Sequence, residues 1–287
     1  SRGIKMNDLS VVGANPLAVV GSPNIAPGIY DGLPFDEYLK IPAVSVSGLK
    51  IIADCPAKFG VEREQSAAMR IGSLTHCAIL EPEALERRYA ATDLDRRGTK
   101  AWDEAERAAG GRELVKRAEW DAALGMRDAV HRHPVARTLL SGAVTERTLV
   151  WQDEETGIMC RGRLDAMSPI GCPVDVKTAA DGSPSSFARQ AARLRYHWQA
   201  DYYLCGCMQL GLPADAFPFI VVEPDLPYIV SVYELSENDL LAGRQQYRSA
   251  MLRFAKLVVR PVREWPGYVE NAITMINLPG WALENYS

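Results

Sequence analysis

Two carboxylates and a lysine form the part of the sequence best suited to chemistry. Asp175 and Lys177 lie in the segment 174–178, whose residues favour a β-strand. Residues two apart on a strand point to the same face, so this carboxylate and this ammonium are presented together. A turn at 168–173 would bring Asp165 opposite Asp175, with about 5 Å between their Cβ atoms. A register slip of one residue would move the two carboxylates to opposite faces.

Two carboxylates this close repel each other unless a cation or a proton lies between them. A small number of hard oxygen ligands favours Mg²⁺ or Mn²⁺ over zinc. Asp165 and Asp175 would then hold a divalent cation. The same residues also allow a second interpretation, in which both carboxylates are solvated at an exposed strand end and Lys177 joins a surface ion pair.

One residue upstream and two downstream could complete such a site. His76 follows Gly72 by four residues and shares its face of a predicted helix, where the imidazole could be a further metal ligand. Gln199 and Tyr203 are likewise one helical turn apart. Each feature has an ordinary alternative, because a lone helical histidine is usually solvated or satisfied and an aromatic stripe is usually core.

The elements that must position these residues are helices in the first half and a mixture afterwards. Strands are predicted at 145–151, 158–167, 174–178, 217–222 and 228–235. Helices are predicted from Ser47 as N-cap, and at 66–80, 99–109, 117–140 with a break at Pro134, 183–194, 196–210 and 237–258. The pattern predicts one α/β (α+β) domain at 29–287, with a central mixed β-sheet flanked by helices, after a flexible arm at 1–28.

Composition excludes several other classes of protein. The 287 residues are 47% hydrophobic and 24% charged, which predicts a folded core without disulfides. The apolar runs are far shorter than the roughly 18 residues of a membrane span, and no signal peptide is recognisable, so a cytoplasmic protein with no membrane partner is expected. The six cysteines lack framework spacing and are expected to be reduced thiols. A net charge of −4, taken alone, argues against a nucleic-acid partner.

The ordered set G-x-x-x-H, Asp, D-x-K and Q-x-x-x-Y resembles the PD-(D/E)xK nucleases of the RecB-like branch. Further blocks are similar to the nuclease domain family of exodeoxyribonuclease VIII (RecE) and extend over nearly the whole chain. They are IYDG (29–32), VSVS (44–47), HCAILEP (76–82), ETGIMCR (155–161), YH (196–197), EWP (264–266) and LPGWA (278–282). The sequence departs from the superfamily pattern at Asp175, where Glu is frequent, and at Leu164, where proline usually precedes the first Asp.

The resemblance implies a role for each matching residue. It implies a metal site built from His76, Asp165, Asp175 and the backbone carbonyl of Val176. Lys177 would orient or deprotonate the attacking water. Gln199 and Tyr203 would hold the scissile phosphate region and the lysine.

The resemblance also implies an activity. Enzymes of this family are processive Mg²⁺-dependent 5′→3′ exonucleases on linear double-stranded DNA, assembled as a ring. Here it implies two Mg²⁺ ions per site (with Mn²⁺ as a substitute), a tetramer, and a phage- or prophage-type recombination role in a bacterial cell. The single-stranded product would pass to an annealing protein. A non-catalytic or endonucleolytic DNA-binding member of the same fold stays open as an alternative.

DNA contacts are expected from one serine and four arginines. A helix N-terminus offers free N–H groups to an anion, so Ser47 is a candidate for holding a terminal 5′-phosphate, with an ordinary N-cap as the alternative. The arginines predicted to face a positive central channel are Arg161, Arg163, Arg189 and Arg193. For Arg189 and Arg193, the alternative is a solvated helix face. Segregation of basic groups in a channel and acids outside would reconcile the net charge of −4 with a DNA substrate.

Overall fold

In a computed structural model of the protein, residues 25–61, 66–269 and 273–282 are described. The strands in these ranges are β1 (Gly28–Tyr30), β2 (Tyr89–Thr92), β3 (Glu113–Lys116), β4 (Val144–Gln152), β5 (Met159–Met167), β6 (Pro173–Thr178), β7 (Phe219–Val222) and β8 (Val230–Tyr233). Six of them form one mixed sheet in the order β1–β4–β5–β6–β7–β8, in which only the β6–β7 pair is parallel. Strands β2 and β3 form a separate parallel pair.

Helices account for most of the remaining described chain. They are α1 (Phe35–Lys40), α2 (Val46–Asp54), α3 (Ala67–Leu80), α4 (Pro82–Arg88), α5 (Lys100–Ala108), α6 (Arg117–Arg132), α7 (Pro134–Leu140), α8 (Pro184–Leu194), α9 (Tyr196–Gln209) and α10 (Glu237–Leu257). The predicted break at Pro134 separates α6 from α7, because proline cannot donate the hydrogen bond that would continue the helix. The predicted α/β class with a central mixed sheet is confirmed.

The N-cap of α2 is Ser45, so the prediction of Ser47 as the cap is wrong. Ser45 Oγ accepts a hydrogen bond from the N–H of Gly48 at 3.2 Å. The helix begins this early because Val44 is held in an extended bridge to β5 by both of its backbone groups. Ser47 is therefore the second helical residue, with an exposed side chain.

The helices cover both faces of the sheet, as the alternation of residues along β7 shows. Phe219 and Val221 pack in a core shared with α2, α9 and α10. Ile220 and Val222 pack in a second core with α3, α6 and α7. Alternate strand residues point to opposite faces, so a strand buried on both sides is apolar throughout. A site between the two layers can therefore draw on helices from each.

Strands β5 and β6 separate just beyond their connecting turn. Their ladder ends at the pair Ala166–Val174, after which β6 pairs with β7. Continuing the register by one residue sets Asp165 opposite Asp175, as the sequence predicts. The Asp165 carboxylate accepts the N–H of Val176 at 2.7 Å in place of a backbone partner. The sheet thus opens at the two carboxylates.

Most of the predicted arm at 1–28 lies outside the described residues, and Gly28 already belongs to β1. Among the helices in the described ranges, none has the length and apolar character needed to cross a membrane.

Candidate active site

His76 reaches the open part of the sheet from α3. The helix starts at its cap Ser66 and carries His76 above β5, where Nε2 lies 2.8 Å from Asp165 Oδ2. On the other side of the ring, Nδ1 lies 3.4 Å from Glu146 Oε1. Burial would lower the pKa of His76, but Asp165 and Glu146 together raise it to about 9. The imidazole is therefore held between two carboxylates.

The two aspartates have opposite electrostatic behaviour. Burial acts to raise the pKa of Asp165, but His76 and the N–H of Val176 overcome this and hold it below its ordinary value. Burial raises the pKa of Asp175 to about 6, with Lys177 opposing the rise and Asp165 adding to it. The two pKa values shift in opposite directions because the carboxylates lie close together and only Asp165 has a strong cationic partner, His76, besides the lysine.

Lys177 lies beside Asp175 on the same face of β6, as the strand spacing predicts. Its Nζ is 2.7 Å from Asp175 Oδ2 and 4.8 Å from the centroid of the Tyr196 ring. Burial disfavours the ammonium, but the two aspartates outweigh this and raise the pKa of Lys177. Gln199 on α9 donates from Nε2 to the other oxygen of Asp175. Asp175 is thus fixed from both sides by predicted site residues.

Tyr203 lies one turn after Gln199 on α9 and packs against β5. Its ring packs on Gly162 of β5, where an added Cβ would lie 2.7 Å from the ring, so only glycine fits there without displacement. Burial, with the charges of Asp175 and Asp165 adding to it, raises the pKa of the Tyr203 hydroxyl. The aromatic ring beside the Lys177 ammonium is that of Tyr196. The role of Tyr203 toward the phosphate and the lysine stays a prediction.

The residues where β5 and β6 separate carry ligand atoms suited to a divalent cation. The Val176 carbonyl faces the gap toward β5, because the N–H and C=O of one strand residue point to the same side and its N–H reaches Asp165. Oδ2 of Asp175 is buried and has no well-aligned hydrogen bond in the described part of the chain, although the ammonium of Lys177 lies 2.7 Å away. Carboxylate and carbonyl oxygens with one imidazole are a ligand set for Mg²⁺ or Mn²⁺.

The ligand atoms do not yet surround a common point. Within residues 25–61, 66–269 and 273–282, no three His, Cys, Asp or Glu side chains are already arranged to hold a metal ion. The reason is that His76 and Lys177 neutralise Asp165 and Asp175 through ion pairs. Metal binding would replace those contacts.

Three residues of the site were not anticipated from the sequence. Glu146 lies behind His76, and Tyr196 lies under Lys177. Lys50 on α2 donates to the carbonyl of Leu194 at 2.7 Å and lies 6.0 Å from the same Tyr196 ring. Burial and the positive charge of Lys177 lower the pKa of Lys50 to about 8. Only Tyr196 had a signal in the sequence, as part of the YH block before Gln199.

The two arginines of β5 do not face a channel, which corrects the prediction for Arg161 and Arg163. Arg161 donates from Nη1 to the carbonyls of Tyr38, Leu39 and Ile41 at the end of α1. Arg163 pairs with Glu146, and its side chain is only 10% exposed. Both guanidinium groups are used inside the protein, by backbone carbonyls at the end of α1 and by Glu146 of β4.

The other predicted DNA contacts lie on exposed surfaces. Arg189 and Arg193 are on the exposed side of α8, one turn apart, and Arg189 donates to Ser186 Oγ at 2.9 Å. Ser47 is exposed in the first turn of α2, one turn before Lys50. Their contact with DNA stays a prediction.

The model of a PDDEXK-like domain of unknown function (DUF3799) matches residues 45–277. The chain belongs to this family. The match includes every residue from His76 to Tyr203 discussed above, and it confirms the resemblance to PD-(D/E)xK nucleases. Nucleases of this superfamily generally use divalent metal ions.

One solved structure supports the same fold. A protein from Eubacterium rectale, described as "Putative exonuclease", has 16% identity and a TM-score of 0.59, over 85% of this chain and 94% of that one. A second structure, SSO0001, has 11% identity over 70% of this chain and 84% of its own, and its TM-score of 0.28 carries no argument about fold. No curated protein sequence matches the chain significantly.

Proposed function

We propose that the protein is a Mg²⁺-dependent exodeoxyribonuclease that degrades linear double-stranded DNA in the 5′→3′ direction. The observation that carries the proposal is the grouping of Asp165, Asp175, Lys177 and His76 where β5 and β6 separate, in a chain of the PDDEXK-like family. The direction and the linear substrate come from the resemblance to the RecE family alone; the description of the Eubacterium rectale neighbour adds only the word exonuclease.

His76, Asp165, Asp175 and the Val176 carbonyl would hold the metal. When bound, two Mg²⁺ ions would lower the pKa of the attacking water and stabilise charge on the phosphate and the leaving oxygen. We assign to Lys177 the holding or deprotonation of that water, a role supported by the 2.7 Å between its Nζ and Asp175 Oδ2. Gln199 keeps the Asp175 carboxylate in one orientation. In the reaction the water oxygen bonds to phosphorus, the bond to the leaving oxygen breaks, and that oxygen takes up a proton.

A phosphate would meet two ammonium groups at this site. Lys50 and Lys177 lie against the same Tyr196 ring, and their mutual repulsion is relieved when an anion lies between them. Ser47 stands one turn before Lys50 on α2, where the first helical N–H groups favour an anion. This end of α2 is therefore our candidate for the terminal 5′-phosphate, and Arg189 and Arg193 are candidates for backbone contacts further along the DNA.

The assembly and partners follow from the resemblance alone. We propose a homo-oligomeric ring, with a tetramer favoured, and transfer of the single-stranded product to an annealing protein in phage- or prophage-type recombination. Size-exclusion chromatography with light scattering measures the ring directly. A monomer at micromolar concentration would remove the ring from the proposal without touching the chemistry.

Digestion of linear and covalently closed duplexes tests the main proposal. Linear DNA should be degraded with Mg²⁺ and left intact with chelator, while closed circles resist. A duplex labelled at its 5′ ends should release the label before a 3′-labelled one. Cutting of closed circles would favour the endonuclease alternative, and DNA binding without any cleavage would favour the non-catalytic one.

A lysine substitution tests the assignment of the site. Lys177→Ala should lower the cleavage rate about 10²–10⁴-fold, the range for a positioned acid–base group, while DNA binding persists. Lys100→Ala is the matched control, because Lys100 is an exposed lysine on α5 with a side chain 91% accessible. Turnover retained in Lys177→Ala at the rate of this control would show that the site has been misassigned.

A further inference from the structure

Glu146 lies between the histidine of the candidate metal site and a buried arginine. Its Oε1 is 3.4 Å from His76 Nδ1, and its Oε2 accepts from the Nε of Arg163. The Glu146 side chain is only 14% exposed. Because Asp165 lies 2.8 Å from Nε2, Glu146 occupies the side of the imidazole that faces away from the proposed metal.

The backbone of β4 directs Glu146 to this place. The ladder pairs on either side of it, Thr145–Ala166 and Arg147–Leu164, leave Glu146 opposite Asp165. Its φ of 55° is in the left-handed region, which is strained for a residue other than glycine and persists only where the surroundings fix it.

Arg163 supplies that fixation. Besides Glu146, its guanidinium donates to the carbonyl of Leu33 at 2.7 Å and to Thr148 Oγ1 at 3.3 Å. It also lies 5.8 Å from the centroid of the Tyr38 ring. Because these contacts hold the Arg163 guanidinium in place, the Glu146 carboxylate paired with it is held in one position, against His76.

We propose that Glu146, anchored by Arg163, is a positioning residue for His76. Its carboxylate accepts the proton of Nδ1 and so leaves Nε2 unprotonated and directed at the metal. The inference rests on the proposed function, because it takes His76 as a ligand. Histidine ligands in proteins generally donate their second ring N–H to a carboxylate or carbonyl, and loss of that partner weakens metal binding about 10–100-fold. Arg163, predicted as a DNA contact, becomes the support of this arrangement.

Titration calorimetry with Mn²⁺ tests the proposal without measuring activity. Glu146→Ala should weaken Mn²⁺ binding about 10–100-fold, whereas Glu146→Gln, which keeps an acceptor oxygen but no charge, should lose less. Asp31→Asn is the matched control: Asp31 likewise pairs with an arginine, Arg147 of the neighbouring strand β4, at 2.6 Å, whereas the carboxylates paired with His76 are Glu146 and Asp165. Its Mn²⁺ affinity should equal that of the wild type.

The tautomer of His76 provides a readout that a merely structural role would not change. In ¹⁵N spectra of histidine-labelled protein saturated with Mg²⁺, wild-type His76 should show a protonated Nδ1 and an unprotonated Nε2. Glu146→Ala should show a mixture of the two tautomers. Glu146→Gln serves for both measurements if the alanine variant does not fold.

The outcomes separate this inference from the proposed function. Wild-type protein that binds no Mn²⁺ would overturn both. Wild-type binding that Asp165→Asn abolishes, together with unchanged affinity and an unchanged His76 tautomer in the folded Glu146 variants, would overturn the positioning role alone.

Discussion

Asp153 is a buried carboxylate whose contacts join the turn after β4 to α10. It accepts hydrogen bonds from the Thr156 N–H at 2.9 Å and from Arg248. Burial acts to raise the pKa of Asp153, but Arg248 and Thr156 outweigh it, so the pKa lies below its ordinary value. A depressed pKa contributes stability that is present above the unfolded pKa of about 3.9 and is lost as the pH falls through the folded value.

Asp153→Asn should therefore lower the free energy of unfolding at pH 7 by about 1–3 kcal/mol, since Arg248 loses its charged partner. The difference from wild type should shrink as the pH falls below about 4, where the wild-type carboxyl takes up its proton. Urea unfolding at pH 7 and pH 3 measures both quantities. Asp215→Asn, at an exposed aspartate, is the control and should change little. A difference that stays constant with pH would contradict the electrostatic explanation.

For single residues, the sequence was sufficient to predict which ones lie together when they are close along the chain. Asp175 and Lys177 share a strand, and a short turn fixes the register that brings Asp165 to them. Glu146 could not be found in this way, because it reaches His76 through the pairing of β4 and a left-handed backbone. Arg161 was misassigned for a related reason: its partners are carbonyls of α1, an element that the sequence did not predict.

At the scale of elements, α2 owes its start to a single serine hydroxyl. Ser45→Ala should lower the free energy of unfolding by about 1 kcal/mol, because the Gly48 N–H loses its acceptor. Ser47→Ala is a control in the same helix and should change it by less than about 0.5 kcal/mol. Paired urea titrations of the two variants decide between the serines. A larger loss in Ser47→Ala would reinstate Ser47 as the cap.

Long elements with a clear period were predictable, as were the short strands β6, β7 and β8, whereas other short strands were not. Strands β4 and β5 and helices α3, α6 and α10 lie within about two residues of the sequence expectation. Strands β1, β2 and β3 are three or four residues long and exist through pairing with distant segments. β2 contains the weak strand formers Ala90 and Ala91, so its conformation comes from tertiary contact and not from local preference.

At the scale of the whole molecule, the candidate site joins two layers of the fold. His76 comes from α3 in one helical layer, while Gln199 comes from α9 in the other, and the aspartates lie on the strands between them. In the unfolded chain these groups are separated by up to 123 residues, so no such site exists there. Metal binding is therefore coupled to global stability.

Mg²⁺ should consequently raise the free energy of unfolding of the wild type, by about 2.7 kcal/mol when its concentration is a hundred times the dissociation constant. Chelator should reverse the shift, and Asp175→Asn should abolish it because a proposed ligand is lost. Lys177→Ala should keep the shift or enlarge it, since the ammonium that now lies 2.7 Å from Asp175 Oδ2 no longer competes with the cation. Urea unfolding of the three proteins with Mg²⁺ and with chelator measures these differences. Equal Mg²⁺ shifts in wild type and Asp175→Asn would place the cation elsewhere on the protein, because a site that includes this carboxylate cannot survive its neutralisation unchanged.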